Sequence, residues 1–262
     1  MTWNLKEVEK TPGWRNFFNK IFFHNSQAEV SQHYISHHIQ GDQTLLEQVL
    51  KPSAQRIFGD LHNYLVMKTT TDNPGIILIC TANPGEGASS VALGLAVAAT
   101  RDKQDKVLLI DGNFYHPSLC KAWGLTDNLG FFDLLTGATD NLNIAQQTRL
   151  GNLWVMGAGS SIESQSKDLE PGNLKEILTQ LANLYTLVII DGPPLNNHPE
   201  SNLYAQYATN TLLVIAAGLS RTPVVHNAIA KFPPQVRDTL EVVLNRRIYP
   251  IPESIYRKLW TS

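Results

Sequence analysis

Cysteine is nearly missing from this chain: Cys80 and Cys120 are the only two in 262 residues. Two thiols cannot build a disulfide framework, so a reducing cytoplasm is the expected setting. Long apolar runs are missing as well. The longest stretches, such as TLLVIAAGL from Thr211 to Leu219, suit buried strands and fall well short of the roughly 18 residues that cross a bilayer. The opening residues MTWNLKEVEK lack the basic-then-apolar order of a secretory leader. A basic excess is absent too. The formal net charge is −2, which argues against a nucleic-acid partner. Internal repeats and low-complexity tracts are also lacking. Disulfide-rich secreted, membrane-spanning, collagenous and disordered classes are thereby excluded.

What is present is an ordinary globular composition, with 43% hydrophobic and 17% charged residues. Residues 1–44 read as an N-terminal appendage. Within it, TPGWRNFFNKIFF places Trp14, Phe17, Phe18, Ile21 and Phe22 on one face of a short helix, so segment 14–23 is amphipathic. From Gln43 to about Met67 the apolar spacing is helical, with a break near Pro52. Beyond it, strand-like runs at Gly75–Cys80, Val107–Ile110, Leu153–Met156, Leu187–Ile190, Leu212–Ala216 and Val242–Leu244 alternate with helical spacing. The helical stretches are Ser89–Thr100, Leu174–Leu184, Ser201–Tyr207 and Val224–Lys231. Apolar strands alternating with helices predict an α/β domain over 45–262, a mostly parallel sheet with helices on both faces.

The first of these strands runs into ICTANPGEGASSVALGLAVAA. A strand, a Gly-rich turn and an Ala-rich helix are the parts of a phosphate-binding loop. Gly85 and Gly87 let backbone N–H groups turn inward, and the helix N-terminus favours an anion. Two further strands end in VLLID and LVIID, leaving Asp111 and Asp191 where ligands bind in an open α/β sheet. Together these ends suggest a nucleotide–Mg²⁺ pocket, with Ser89, Asp111 and Asp191 as candidate Mg²⁺ ligands. Plainer roles compete: Gly85 and Gly87 as a simple β–α turn, Asp111 and Asp191 as capping residues. His33, His37 and His38 have the spacing of a metal site on a helix but no Cys or acidic partner, so a solvated face is the better reading. Ser89 and Ser90 lack an activating base for nucleophilic work.

The order PGEG-x-S-S, LLID, VIIDGPP and VVLNRR resembles the bacterial tyrosine-kinase (BY-kinase) family, a MinD/ParA-like branch of the P-loop ATPases. GLTDNLGFFDLLTG and VLNRRIYPIPESIYRKL are similar to further family segments, and the resemblance spans roughly Ser53 to Leu259. It implies ATP or ADP with Mg²⁺ at Gly85, Glu86, Gly87, Ala88, Ser89 and Ser90, with Asn245 and Arg246 near the adenine ring. It also implies a cytoplasmic protein of exopolysaccharide or capsule assembly, peripheral to the inner membrane through a co-polymerase partner, and compatible with a homo-oligomer.

Departures from the family pattern cluster at the chemistry. The family's PGEGK lysine, which holds the β/γ-phosphates, is Ala88 here, and no Lys or Arg lies between Lys68 and Arg101. The family's D-x-D-x-R reads Asp111-Gly112-Asn113-Phe114-Tyr115. The Glu-x-x-Arg-x-x-Arg association motif would fall on Arg56, Gly59 and His62, and the C-terminal tyrosine cluster shrinks to Tyr249 and Tyr256 as acceptors. Losing one preorganised donor typically costs about 10²–10³ in rate. The expectation is therefore a non-catalytic or weakly nucleotide-binding relative. An active tyrosine autokinase is the alternative, and a MinD/ParA-like positioning protein a third reading.

Overall fold

The structure is a computed structural model that describes residues 34–35, 45–68, 75–126, 128–159 and 171–246. The aromatic segment 14–23, the histidines at 33, 37 and 38, and Tyr249 and Tyr256 lie outside the described residues.

Eight strands form one sheet: β1 (Tyr34–Ile35), β2 (Gly75–Thr81), β3 (Val107–Asp111), β4 (Gln146–Gln147), β5 (Leu153–Met156), β6 (Leu187–Asp191), β7 (Asn210–Ala216) and β8 (Glu241–Asn245). Their spatial order is β1-β8-β7-β2-β6-β3-β5-β4. Every pairing is parallel except β4 with β5. The six apolar runs become β2, β3, β5, β6, β7 and β8, each within two residues of its expected bounds. The two-residue edge strands were not legible. Two residues are too short for any hydrophobic period to register, and only pairing defines them. β1 bonds β8 from inside residues 1–44, with Tyr34 opposite Leu244.

Helices connect the strands. α1 (Leu45–Val49) and α2 (Pro52–Lys68) meet at the Pro52 break, since proline supplies no N–H to continue the first helix. α3 (Ala88–Ala99) follows β2, α4 (Leu119–Trp123) follows β3, and α5 (Phe131–Leu135) comes next. α6 (Pro171–Leu184), α7 (Glu200–Ala205), α8 (Thr222–Ala230) and α9 (Pro234–Thr239) complete the described α-helices, and a 3-10 turn spans Leu142–Ile144. β3 is buried at all five positions and β2 at all but its first, as expected when both faces of a sheet are covered.

α3 is buried along its length apart from Ser89 and Ser90. Its small residues allow that depth: a Cβ on Gly94 would meet the Phe58 ring of α2 at 2.1 Å. This packing seats the Gly-rich turn at the C-terminal edge of the central strand, where the sheet order places β7 on one side and β6 on the other. No helix among the described residues is long and apolar enough to cross a membrane.

Candidate functional site at the strand ends

The turn between β2 and α3 has the backbone of a phosphate loop. Gly85 and Gly87 take positive φ, 81° and 104°, a region that costs other residues a steric clash. Gly87 is also required by its neighbour, since a Cβ there would fall 2.1 Å from the Asn245 side-chain nitrogen. Ala88 begins α3 with a nearly buried methyl group at the position where the resemblance has a lysine.

Three chain segments brace this loop. Glu86 is 1% exposed, and its carboxylate turns inward. One oxygen accepts from the Asn83 N–H at 2.9 Å and the other from the Ser220 hydroxyl at 2.5 Å. Ser220 in turn accepts from the Ala216 N–H at 2.8 Å. The Asn245 amide donates to the Glu86 carbonyl at 3.0 Å and accepts from the Arg246 N–H at 2.8 Å. Asn196 donates to the Asn83 side chain at 3.3 Å. The structure thus gathers Gly85, Glu86, Gly87, Ala88, Ser89, Ser90, Asn245 and Arg246 at one rim. Within it the Glu86 carboxylate and the Asn245 amide hold the loop's shape.

Asp111 and Asp191 face each other in register at the ends of β3 and β6, and both are 1% exposed. Their bonding differs. One Asp111 oxygen accepts from the Ser118 and Leu119 N–H groups at 2.8 and 2.9 Å, and the other from Asn113 N–H at 3.3 Å. These bonds are those of the capping alternative: Asp111 closes the β3 turn and caps α4 from outside the helix. Neither Asp191 oxygen has a hydrogen-bond partner among the described residues. Burial pushes the Asp191 carboxyl well above the usual range, the Asp111 charge adds to the shift, and the nearby Ser89 hydroxyl opposes it. The same burial, with the Asp191 and Glu86 charges, raises the Cys80 thiol, so Cys80 stays an inert core residue.

The D-x-D-x-R departure is rewired. Tyr115 donates to Glu200 at 2.6 Å, and its ring stacks on His198 with centroids 3.4 Å apart and planes 17° off parallel. Burial and Glu200 together raise the Tyr115 hydroxyl. Asn113 contributes an N–H to Asp111, and its side-chain oxygen is buried without a partner among the described residues. Ser220, Asn196, His198 and Glu200 were missed by sequence reading. Ser220 meets Glu86 across 134 positions, and no local pattern could have signalled it.

No protein-family model matches the chain. The kinase domain of the Escherichia coli tyrosine kinase ETK superposes with a TM-score of 0.68 at 20% identity, covering 83% of this chain and 90% of that one. The septum site-determining protein MinD of Pyrococcus horikoshii, solved with Mg-ADP, superposes at a TM-score of 0.54 and 21% identity over 67% of this chain and 74% of that one. These establish the fold. In sequence, the putative tyrosine-protein kinase CapB of Staphylococcus aureus is 25% identical over 196 residues, 75% of this chain and 86% of that protein. The chain is thus similar in sequence to a bacterial tyrosine-protein kinase and shares the fold of the ETK kinase domain.

For a BY-kinase relative, the donor set divides by ligand. Asp191, with two open oxygens beside the Ser89 hydroxyl, fits a hard divalent cation. Such an ion would supply charge neutralisation for phosphate oxygens. For the polyphosphate itself the fit is poorer, because the loop's lysine position carries Ala88 and no Lys or Arg lies between Lys68 and Arg101.

Proposed function

We propose that the chain is a non-catalytic or weakly nucleotide-binding BY-kinase relative that regulates exopolysaccharide or capsule assembly. Ala88 carries the reading. It occupies the first turn of α3, and a methyl group offers no charge to the β/γ-phosphates. The Tyr115–Glu200 bond supports it, because the residue at the family's arginine position is tied to a carboxylate within the fold. In this proposal the protein is cytoplasmic and works beside an inner-membrane co-polymerase. Residues 45–262 form the ATPase-like domain, to whose sheet residues 1–44 add β1 (Tyr34–Ile35), segment 14–23 is the docking element, and self-association is a further element.

Calorimetry with ATP and Mg²⁺ tests it. Binding is expected to be weaker than low micromolar, and a dissociation constant in that range or tighter overturns the reading. Ala88→Lys should strengthen binding without producing phosphotyrosine, because Asn113 and Tyr115 remain.

The second reading, an active autokinase using Tyr249 or Tyr256, draws on one observation: the open oxygens of Asp191 could hold Mg²⁺. Phosphotyrosine found by mass spectrometry on the purified protein would select it.

A further inference from the structure

Two residues that bond Glu86 from outside its loop, Ser220 on the β7 side and Asn245 on β8, are each followed by an arginine. The fold therefore carries cations to a loop whose own stretch, from Lys68 to Arg101, has none between its ends. The two arginines are not equivalent. Arg221 is exposed and opens α8 in ordinary extended backbone, with φ −91°. Arg246 is half-buried and has φ 58°, the one positive φ outside glycine among the described residues.

A left-handed arginine persists only where its surroundings over-determine it. Here they do. The Arg246 N–H bonds the Asn245 side chain at 2.8 Å, and that side chain donates to Glu86 and presses on Gly87. The backbone of Arg246 is thereby fixed one residue from a group in contact with the loop, immediately before Ala88. An arginine's three-methylene arm and fork of donors suit phosphate oxygens better than a point charge does. Independently, Asp191 beside Ser89 is 1% exposed with both oxygens unpartnered among the described residues, which marks the same rim as a ligand site.

We propose that Arg246 supplies the positive charge the loop lacks, holding the phosphate chain of a nucleotide at the N-terminus of α3. This rests on the reading of the loop as a weak nucleotide site, and names the residue that gives it its remaining affinity. It differs from the adenine-side position that the family resemblance implies for Arg246.

The test is calorimetry on the full chain with two probes, Mg²⁺-pyrophosphate (phosphate without base) and adenosine (base without phosphate). The wild type should bind pyrophosphate at millimolar concentration. Arg246→Ala should weaken that by about tenfold or more, the worth of one charge-assisted contact, while Arg246→Lys keeps part of it. Arg246→Gly should lose the same affinity yet melt about 2 °C higher, because glycine takes positive φ freely. That separates lost binding from lost folding. Arg221→Ala should change binding less than about threefold, as an exposed and screened charge.

The proposal is overturned if Arg246→Ala leaves pyrophosphate binding unchanged, or weakens only adenosine, or if the wild type binds no pyrophosphate at millimolar concentration. The weak-site reading fails separately. Low-micromolar ATP affinity that disappears in Arg246→Ala would sink that reading and support the arginine.

Discussion

Asp111 and Asp191 are the same residue type, end adjacent parallel strands, pair in register and are equally buried, yet they live in opposite electrostatic surroundings. Asp111 accepts three backbone N–H groups; Asp191 accepts none among the described residues. The difference comes from the next few residues. After Asp111 the chain curls back, delivering the amides of Asn113, Ser118 and Leu119. After Asp191 comes Gly192-Pro193-Pro194, in which the glycine N–H is spent on the Ile79 carbonyl at 2.8 Å. The prolines have no N–H to give. One carboxylate closes a turn, and the other is left open towards Ser89.

The largest effect should come from the capped member. Asp111→Ala removes a charged acceptor from three amides and should cost about 3 kcal/mol of stability by urea unfolding. A loss under about 1 kcal/mol would show that the β3 turn holds without its carboxylate, and the contrast would collapse. Next is the loop that both acids flank. Gly87→Ala forces a Cβ against the Asn245 amide and places it at φ 104°, so about 2 kcal/mol should be lost. An unchanged midpoint would mean that the loop relaxes away from β8.

Asp191→Asn sharpens the comparison through pH. Because the folded-state carboxyl is raised above its ordinary 3.8, its contribution to stability is fully present below that value. It is lost as pH rises through the folded value. The wild type should therefore fall behind Asp191→Asn as pH climbs above the ordinary carboxyl value of 3.8. A difference that stays constant as pH rises would put the Asp191 carboxylate in a better-solvated setting than its burial implies. Smallest of all, Tyr115→Phe removes one half-exposed bond to Glu200 and should cost about 1 kcal/mol or less in thermal melts. A larger loss would give the Tyr115–Glu200 bond a structural weight that its exposure does not suggest.

Much of this was readable from the chain. Apolar runs such as LVIID and GIILICT have one stable home, a strand covered on both faces, so six strands and four of the helices between them were legible, whereas the short helices α4, α5 and α9 were not. The motif residues fell at strand ends for the same reason: a run stops being apolar where the sheet meets solvent. Gly85 and Gly87 announced the β–α turn, whereas the sequence alone left capping open for both Asp111 and Asp191.

Other features depended on residues far apart in sequence. That Glu86 faces inward depends on Ser220, and that Gly87 must be glycine depends on Asn245 as well as on its own φ. The short edge strands β1 and β4 exist only through their neighbours' hydrogen bonds. Local sequence determines conformations whose energies are local: φ preferences, the period of burial and the supply of N–H groups. Which side chain satisfies a buried carboxylate, and which backbone sits against a glycine, are settled only when distant strands pack. Those energies belong to contacts that do not exist until the sheet has formed.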